Sequence, residues 1–208
     1  LYLIMKTAIT AFLFFSAAIL CKAQTNNALS VTDSKTNDKI NELEKDKVDT
    51  IIRYYVDCIG SMHLRPPDSC LAYDIKYLFW RQNGKHYMQR FDECKEHSMF
   101  EINQDIFALL RNNYSEIKIA KIKYPEFKVK EKGKLKTFYF SIDHSCHNIF
   151  EIHIGNKIIN KDIDDYALET KYFDEKYLNR NFYSNKKSIL NKLKTVVEHD
   201  VDIYNQNH

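Results

Sequence analysis

The sequence predicts an α+β protein in which an antiparallel sheet built from hairpins packs against an N-terminal amphipathic helix and C-terminal helices. Three observations predict this class. Apolar residues recur every three or four positions near both ends of the chain. Between residues 117 and 154 they mostly alternate with polar residues, as they do in strands. Every glycine falls at the end of a predicted element and none inside one, at Gly60, Gly84, Gly133 and Gly155.

Composition and charge narrow the class of protein. Hydrophobic residues make up 44% of the 208 positions and charged residues 28%, which excludes a disordered or low-complexity chain. The formal net charge is +3, so the chain lacks the overall basic field that nucleic-acid-binding proteins usually carry. A chain of this length fits one domain, and we expect residues 37–208 to form it.

Residues 1–23 have the pattern of a secretory signal peptide. A short cationic start precedes an uncharged apolar run, 8–20, that is too short to cross a bilayer. Small side chains then occupy the positions that a leader peptidase requires, which predicts cleavage between Ala23 and Gln24. Residues 1–4 precede the first methionine, and we interpret them as an upstream extension.

Two alternatives to cleavage are a retained anchor helix and lipidation of Cys21, although the bulky Leu20 precedes this cysteine where a small residue is usual. Residues 24–36 are polar and small, which predicts a flexible leader into the domain. No later segment resembles a membrane span. We therefore expect an exported, soluble protein, periplasmic or extracellular, with no membrane span after removal of the signal peptide.

Export determines how the cysteines are interpreted. Cys21 leaves with the signal peptide, and an even number of cysteines in an oxidising compartment predicts two disulfides. All three connectivities remain open. The spacing contains no CxxC pair, so it supports neither a thioredoxin-like motif nor a standard zinc site. The four remaining cysteines are Cys58, Cys70, Cys94 and Cys146.

The first predicted element is an amphipathic helix of about 20 residues, from Ile40 to Ile59. Apolar residues recur there at helical spacing, and charged residues occupy the opposite face. Gly60 suits the C-terminal cap of this helix. Pro66 and Pro67 lie beyond it, where fixed φ angles and missing amide protons prevent a helix from continuing.

The strongest local signal is the dipeptide Asn83-Gly84, since both residues tolerate positive φ and two apolar runs flank them. A two-residue type I′ turn there predicts a hairpin. It places Gln82 opposite Lys85 and Trp80 opposite Tyr87, an aromatic pair of the kind that stabilises such ribbons. The same register pairs Phe79 with Met88 and Lys76 with Phe91.

A short helix capped by Asn103 and ending near Asn113 is expected next. Beyond Asn113 the apolar period returns to two residues, which predicts strands separated by turns at Gly133 and Gly155. These strands are expected around residues 117–119, 127–129, 138–142 and 150–154.

The chain is expected to become helical again beyond Asp162. Apolar residues from Ile189 to Tyr204 follow a helical period and predict a C-terminal helix. Ser184 and Asn185 are its candidate N-caps, because their side chains can accept a hydrogen bond from first-turn amides. No internal repeat and no linker interrupts the domain.

The densest group of chemically active residues is Asp143-His144-Ser145-Cys146-His147, with His153 on the following strand. We expect residues 144–147 to form the loop between two strands. In one interpretation His144, Cys146 and His147 ligate a metal, or a histidine activates Cys146 as a nucleophile with Asp143 as orienting group. In the other, favoured by export and by the cysteine count, Cys146 is oxidised in a disulfide and the histidines are solvated.

Other motifs are weak. No HExxH or GxSxG pattern occurs, and the glycines form no phosphate-binding loop, so neither a metal nor a cofactor is expected. Residues 116–136 contain eight lysines and three glutamates. The lysines alternate with apolar residues and no arginine accompanies them, which favours a solvated sheet edge over a specific nucleic-acid site.

Together these patterns favour a non-catalytic, exported binding or interaction module that disulfides stabilise. Its partner, whether a protein, a peptide or a small molecule, is not indicated by the residues. The alternative is a hydrolase or a metal-dependent enzyme centred on Asp143, His144, Cys146 and His147.

Overall fold

The computed structural model describes residues 30–58, 60, 73–102 and 106–207. The described residues from Val31 onward form one compact unit, and every element below belongs to it. The helices in the described residues are α1 (Val31–Lys45), α2 (Ile106–Ile119), α3 (Asp165–Glu169), α4 (Phe182–Lys186) and α5 (Ile189–Asn207). The strands there are β1 (Thr50–Cys58), β2 (Lys76–Gln82), β3 (Lys85–Phe91), β4 (Phe100–Ile102), β5 (Glu126–Glu131), β6 (Lys134–Tyr139), β7 (Cys146–Ile154), β8 (Lys157–Asp164), β9 (Tyr172–Phe173) and β10 (Tyr177–Leu178).

A six-stranded antiparallel sheet is the centre of the molecule, with strand order β4-β3-β2-β1-β7-β8. Ile40 and Leu43 of α1 pack on one face of this sheet, in a cluster that includes Trp80. Helices α2 and α5 pack on the other face, where they form the larger core. Two further hairpins, β5–β6 and β9–β10, form separate two-stranded sheets. The structure thus confirms the α+β class.

The β2–β3 hairpin has the predicted register. Gln82 pairs with Lys85 and Trp80 pairs with Tyr87, and the rings of that aromatic pair have centroids 5.7 Å apart. Asn83 has a φ of 52° in the turn, as the type I′ geometry requires. Strand β2 is central to the sheet, and consecutive side chains are therefore buried on opposite faces.

The predicted helix from Ile40 to Ile59 is wrong in its second half. Helix α1 ends at Lys45, and Thr50–Cys58 is strand β1 in the middle of the sheet. Buried residues on both faces of a central strand produce spacings that also fit one face of a helix. The β-branched and aromatic residues of β1 favour the strand. At its other end α1 begins at Val31, so that residues 31–36 of the predicted flexible leader are helical.

The predicted strand at residues 117–119 is also wrong, because α2 continues to Ile119. The helix has a kink at Asn113, where φ is −124° and the side-chain amide donates to the carbonyl of Leu109 at 2.8 Å. The expected end near Asn113 thus marks a bend. Ile117 points into the core, and this contact favours a continued helix. The expected cap Asn103 lies outside the described residues.

Two boundaries near the end of the chain differ from the expectation. Strand β8 extends to Asp164, after which α3 begins. Helix α5 begins at Ile189, and the hydroxyl of Ser188 accepts a hydrogen bond from the amide of Asn191 at 3.2 Å. Ser188 is therefore the N-terminal cap, whereas the expected caps Ser184 and Asn185 lie within α4.

A disulfide joins Cys58 to Cys146. These residues are directly opposite each other at the ends of β1 and β7, with Cα atoms 4.0 Å apart. Cys94 is disulfide-bonded as well, and Cys70 lies outside the described residues. Within the described part of the chain, no helix is long and apolar enough to cross a membrane.

Candidate functional site

The disulfide changes the role of the predicted cysteine. Cys146 and His147 are the first two residues of β7, so they lie in a strand and not in the expected loop. The bond to Cys58 leaves Cys146 without the thiolate that a nucleophile or a metal ligand needs. This finding removes the central residue of the enzyme hypothesis.

The three histidines of that hypothesis do not converge. His144 is exposed, and its ring lies against Gly60, where a β-carbon would collide with it. His147 bonds through Nδ1 to Asp162 Oδ1 at 2.8 Å. His153 lies six residues further along β7, a separation of about 20 Å in an extended strand. In the described residues, no group of three His, Cys, Asp or Glu side chains is arranged to hold a metal.

His153 instead belongs to a charged network between α1 and the sheet. Its Nε2 lies 2.6 Å from Glu151 Oε1, and its Nδ1 lies 3.4 Å from Glu44 Oε1. Arg53 donates to Glu151 Oε2 at 2.5 Å and to Asn37 Oδ1 at 2.8 Å. The bonds from His153 and Arg53 lower the pKa of Glu151 to about 2, and the bond to Glu151 raises the pKa of His153. The network holds α1 on the sheet.

A second histidine lies in a buried chain of hydrogen bonds. His97 Nδ1 is 2.9 Å from the Tyr204 hydroxyl, and its Nε2 is 2.7 Å from Asp92 Oδ2. Burial acts to raise the pKa of Asp92, but hydrogen bonds from the Lys95 amide and from His97 hold it below its usual value. The order of the three groups is that of a catalytic triad, yet Tyr204 is only 1% exposed. A substrate cannot reach the Tyr204 hydroxyl, so this series of hydrogen bonds anchors α5 to the sheet.

Several polar groups on the face of the sheet that α2 and α5 cover bond to one another. The hydroxyl of Tyr54 donates to Asn148, which donates to Asp165 at 2.8 Å, and Lys194 lies 3.4 Å from that carboxylate. Burial raises the pKa of Asp165. Burial also raises the pKa of Asp200, in α5, to about 6. Asn148 and Asp200 are buried, and the partly exposed Asp165 is held by its bonds to Asn148 and Lys194.

An accessible concave site lies elsewhere, between α2 and one end of the sheet. We define the α2 groove by an apolar floor and a charged rim. The floor is formed by Phe107, Leu110, Tyr114 and Ile154, and the rim by Asp49, Arg81, Arg111 and Lys157. Its volume is about 770 Å³, which is in the range of small-molecule sites. Helical spacing places the three α2 residues on one side of the helix, and Ile154 ends β7 on the opposite wall.

The rim of the α2 groove is basic. Arg81 follows the buried part of β2, Arg111 projects from α2 and Lys157 begins β8. Within the described residues, none of these three side chains has a hydrogen bond or an ion pair. Asp49 is the acidic residue of the rim, so positive charge is in excess. Guanidinium groups can bind a carboxylate or a phosphate through paired N–H donors, and the floor can cover an apolar group.

No pattern in the sequence distinguishes these residues as a site. Arg81, Arg111 and Lys157 lie far apart in the chain, and each resembles an ordinary solvated cation. The available signal was weak: Arg111 borders the apolar stripe of the α2 helix, and Lys157 follows a predicted turn. No protein-family model, curated protein or solved structure matches the chain. Function is therefore inferred from the geometry of this molecule alone.

Proposed function

We propose that the protein is an exported, non-catalytic binding module that holds a small amphipathic anion in the α2 groove. One observation carries this proposal: three cations that have no partner among the described residues surround an apolar floor. An anionic head group would accept hydrogen bonds from Arg81 and Arg111, and an apolar tail would cover the half-buried Tyr114 and Ile154. Each square ångström of apolar surface removed from water contributes about 25 cal/mol.

The internal use of the titratable side chains supports a non-catalytic role. Catalysis by acid–base transfer needs a group with a suitable pKa within reach of a substrate. Asp92, Glu151, Asp165 and His97 all face partners inside the protein, and Cys146 is oxidised. Binding by the α2 groove needs none of these groups.

Calorimetric titration of the purified protein with dodecanoate tests the groove. Dodecylamine has the same tail with a cationic head, and butyrate has the same head with a short tail, so both should bind at least tenfold more weakly. Arg111→Gln and Arg81→Gln should each weaken dodecanoate binding about tenfold, because a charge-assisted hydrogen bond contributes about 1.5–3 kcal/mol.

The matched control is Lys192→Gln, which removes an exposed cation of α5 and should leave dodecanoate binding unchanged. Equal affinity for dodecanoate and dodecylamine would show that the rim does not select charge. Unchanged affinity in both arginine variants would place the ligand outside the groove. Either result contradicts the proposed function.

Export and the second disulfide are further parts of the proposal. We propose that the chain is cleaved between Ala23 and Gln24 and that Cys94 pairs with Cys70. The Cys58–Cys146 bond supports export, since disulfides persist mainly in oxidising compartments. N-terminal sequencing of the mature protein should begin at Gln24, and peptide mapping without reductant should find both bonds. An intact amino terminus, or free thiols in the denatured protein, would contradict this part.

A further inference from the structure

The β5–β6 hairpin presents one face to the protein and the other to solvent. Phe127 of β5 is fully buried, and its ring lies 5.6 Å from those of Phe140 and Phe173. The register pairs Lys128 with Thr137 and Lys130 with Leu135, on the side opposite Phe127. We define the outer face of the hairpin by its exposed residues, Lys128, Lys130, Leu135, Thr137 and Tyr139.

Exposed apolar side chains are concentrated around this hairpin. Nine of the fourteen large apolar side chains that are exposed in the described residues lie within residues 124–142 and 172–183. On the outer face Leu135 is 65% exposed and Tyr139 is 68% exposed. Single exposed apolar residues are ordinary on a protein surface, whereas such a concentration is typical of an interaction surface.

The same surface carries positive charge without compensation. Lys128 and Lys130 on the outer face, and Lys132 and Lys134 at and beside the turn, form no ion pair with any residue that the structure describes. The two carboxylates of the hairpin itself are already used, since Glu131 pairs with Lys136 and Glu126 pairs with Arg180. The hairpin therefore joins unpaired lysines to exposed leucine and tyrosine side chains.

The chemistry of the surface discriminates between classes of anionic partner. Nucleic-acid sites use arginine and free aromatic faces, but β5 and β6 contain no arginine. The rings of Phe140 and Phe173 stack on each other, with centroids 4.5 Å apart. Protein interfaces are enriched in arginine and depleted in lysine, which is the opposite composition. Lysine beside interfacial tyrosine and leucine is the combination that anionic lipid surfaces attract.

We propose that the outer face of the β5–β6 hairpin adsorbs on an anionic lipid membrane. The unpaired lysines contact the lipid head groups, and Leu135 and Tyr139 enter the interface between head groups and acyl chains. The adsorbed protein stays peripheral. This proposal is independent of the α2 groove, since it involves none of the residues that line the groove.

Co-sedimentation with vesicles tests the proposal directly. The full protein should bind vesicles of phosphatidylcholine mixed with phosphatidylglycerol, and should bind vesicles of phosphatidylcholine alone at least tenfold more weakly. Added salt should release it, because screening weakens attraction to the charged surface. The double variant Lys128→Gln/Lys130→Gln should lower the partition coefficient by roughly tenfold or more.

The matched control is Lys45→Gln/Lys192→Gln, which removes the same charge from exposed positions in α1 and α5. This control should bind the mixed vesicles as the unmodified protein does. An equal loss in both double variants would mean that net charge, and not the hairpin, attracts the protein. That result would overturn the proposal.

Insertion of the apolar side chains has its own readout. The single tryptophan of the chain, Trp80, is fully buried, so Leu135→Trp adds a reporter in a different environment. Its emission should shift to shorter wavelength when mixed vesicles are added. Absence of this shift, or single-stranded DNA that displaces the protein from vesicles at equal charge concentration, would overturn adsorption through the outer face.

Discussion

Two hairpins of the protein, β2–β3 and β5–β6, are alike in their turns and opposite in their surroundings. Each has a two-residue connection whose second residue is glycine, and Gly84 and Gly133 have φ angles of 79° and 80°. The residues before them, Asn83 and Lys132, also have positive φ. Yet the first five residues of β2 are buried, whereas all six residues of β6 are exposed.

The difference shows that turn geometry forms a hairpin and that its neighbours determine its use. β1 and β4 flank the β2–β3 hairpin, and helices cover both faces. The β5–β6 hairpin is a separate sheet with one face packed around Phe127. Aromatic and aliphatic side chains therefore stabilise the fold in the first hairpin and remain available for contact in the second.

The largest difference between the hairpins is expected from truncation of an apolar side chain in each. Phe79→Ala removes a ring that is 0% exposed and should lower the free energy of unfolding by about 3–5 kcal/mol. Leu135→Ala should change it by less than about 0.5 kcal/mol, because its side chain is already in water. Urea denaturation of both variants measures the two values. A loss above about 2 kcal/mol in Leu135→Ala would contradict the comparison, since it requires packing at that position.

Removal of a charged residue should also destabilise the sheet more than the β5–β6 hairpin, but by a smaller difference in the free energy of unfolding. Glu151→Gln breaks the partly buried network with Arg53 and His153 and should cost about 2 kcal/mol. Glu131→Gln breaks the exposed pair with Lys136 in the β5–β6 hairpin and should cost less than about 0.5 kcal/mol. Denaturation at pH 5 and low salt compares them. Equal losses would mean that burial does not strengthen the network.

The turns of the two hairpins should lose similar stability when their glycines are substituted. Gly84→Ala and Gly133→Ala each place a β-carbon on a backbone with φ near 80°, and nothing lies within 4 Å of the added atom in either turn. Each substitution should therefore cost about 1 kcal/mol through backbone strain alone. The matched control is Gly→Asn at each turn, which tolerates positive φ better and should recover part of the loss. Costs that differ by more than about 1 kcal/mol would show that the surroundings act on the turns too.

The smallest expected effect is the pH dependence of stability that His153 and Glu151 give to the central sheet. The pKa of His153 is raised in the folded protein, so its contribution is complete below pH 6.5 and is lost as pH rises through the folded-state value. Glu151, whose pKa in the folded protein is about 2, contributes stability that is lost as pH falls from about 4.5 toward 2. In the wild type the free energy of unfolding should fall by about 1 kcal/mol or less as pH rises through the pKa of folded His153. His153→Gln should not show this fall. An unchanged decline would assign it to another group.

Part of the β-structure could be predicted because its signals are local. The register of β2–β3 follows from Asn83-Gly84, and the β5–β6 turn follows from Gly133, since positive φ and side-chain alternation depend on neighbours in the chain. The identity of β1 could not be predicted in this way. Ile51, Ile52 and Tyr54 are buried on two faces, and only pairing with β2 and β7 makes that burial possible.

By itself the sequence determined the α+β class, the central hairpin and the cysteines available for oxidation. Tertiary structure decided that Cys58 pairs with Cys146, that α2 continues through Ile117 and that Arg81 and Arg111 share one groove. The reason is physical. A turn depends on the backbone of two residues, whereas burial, disulfide pairing and the neutralisation of a charge depend on residues that folding brings from distant parts of the chain.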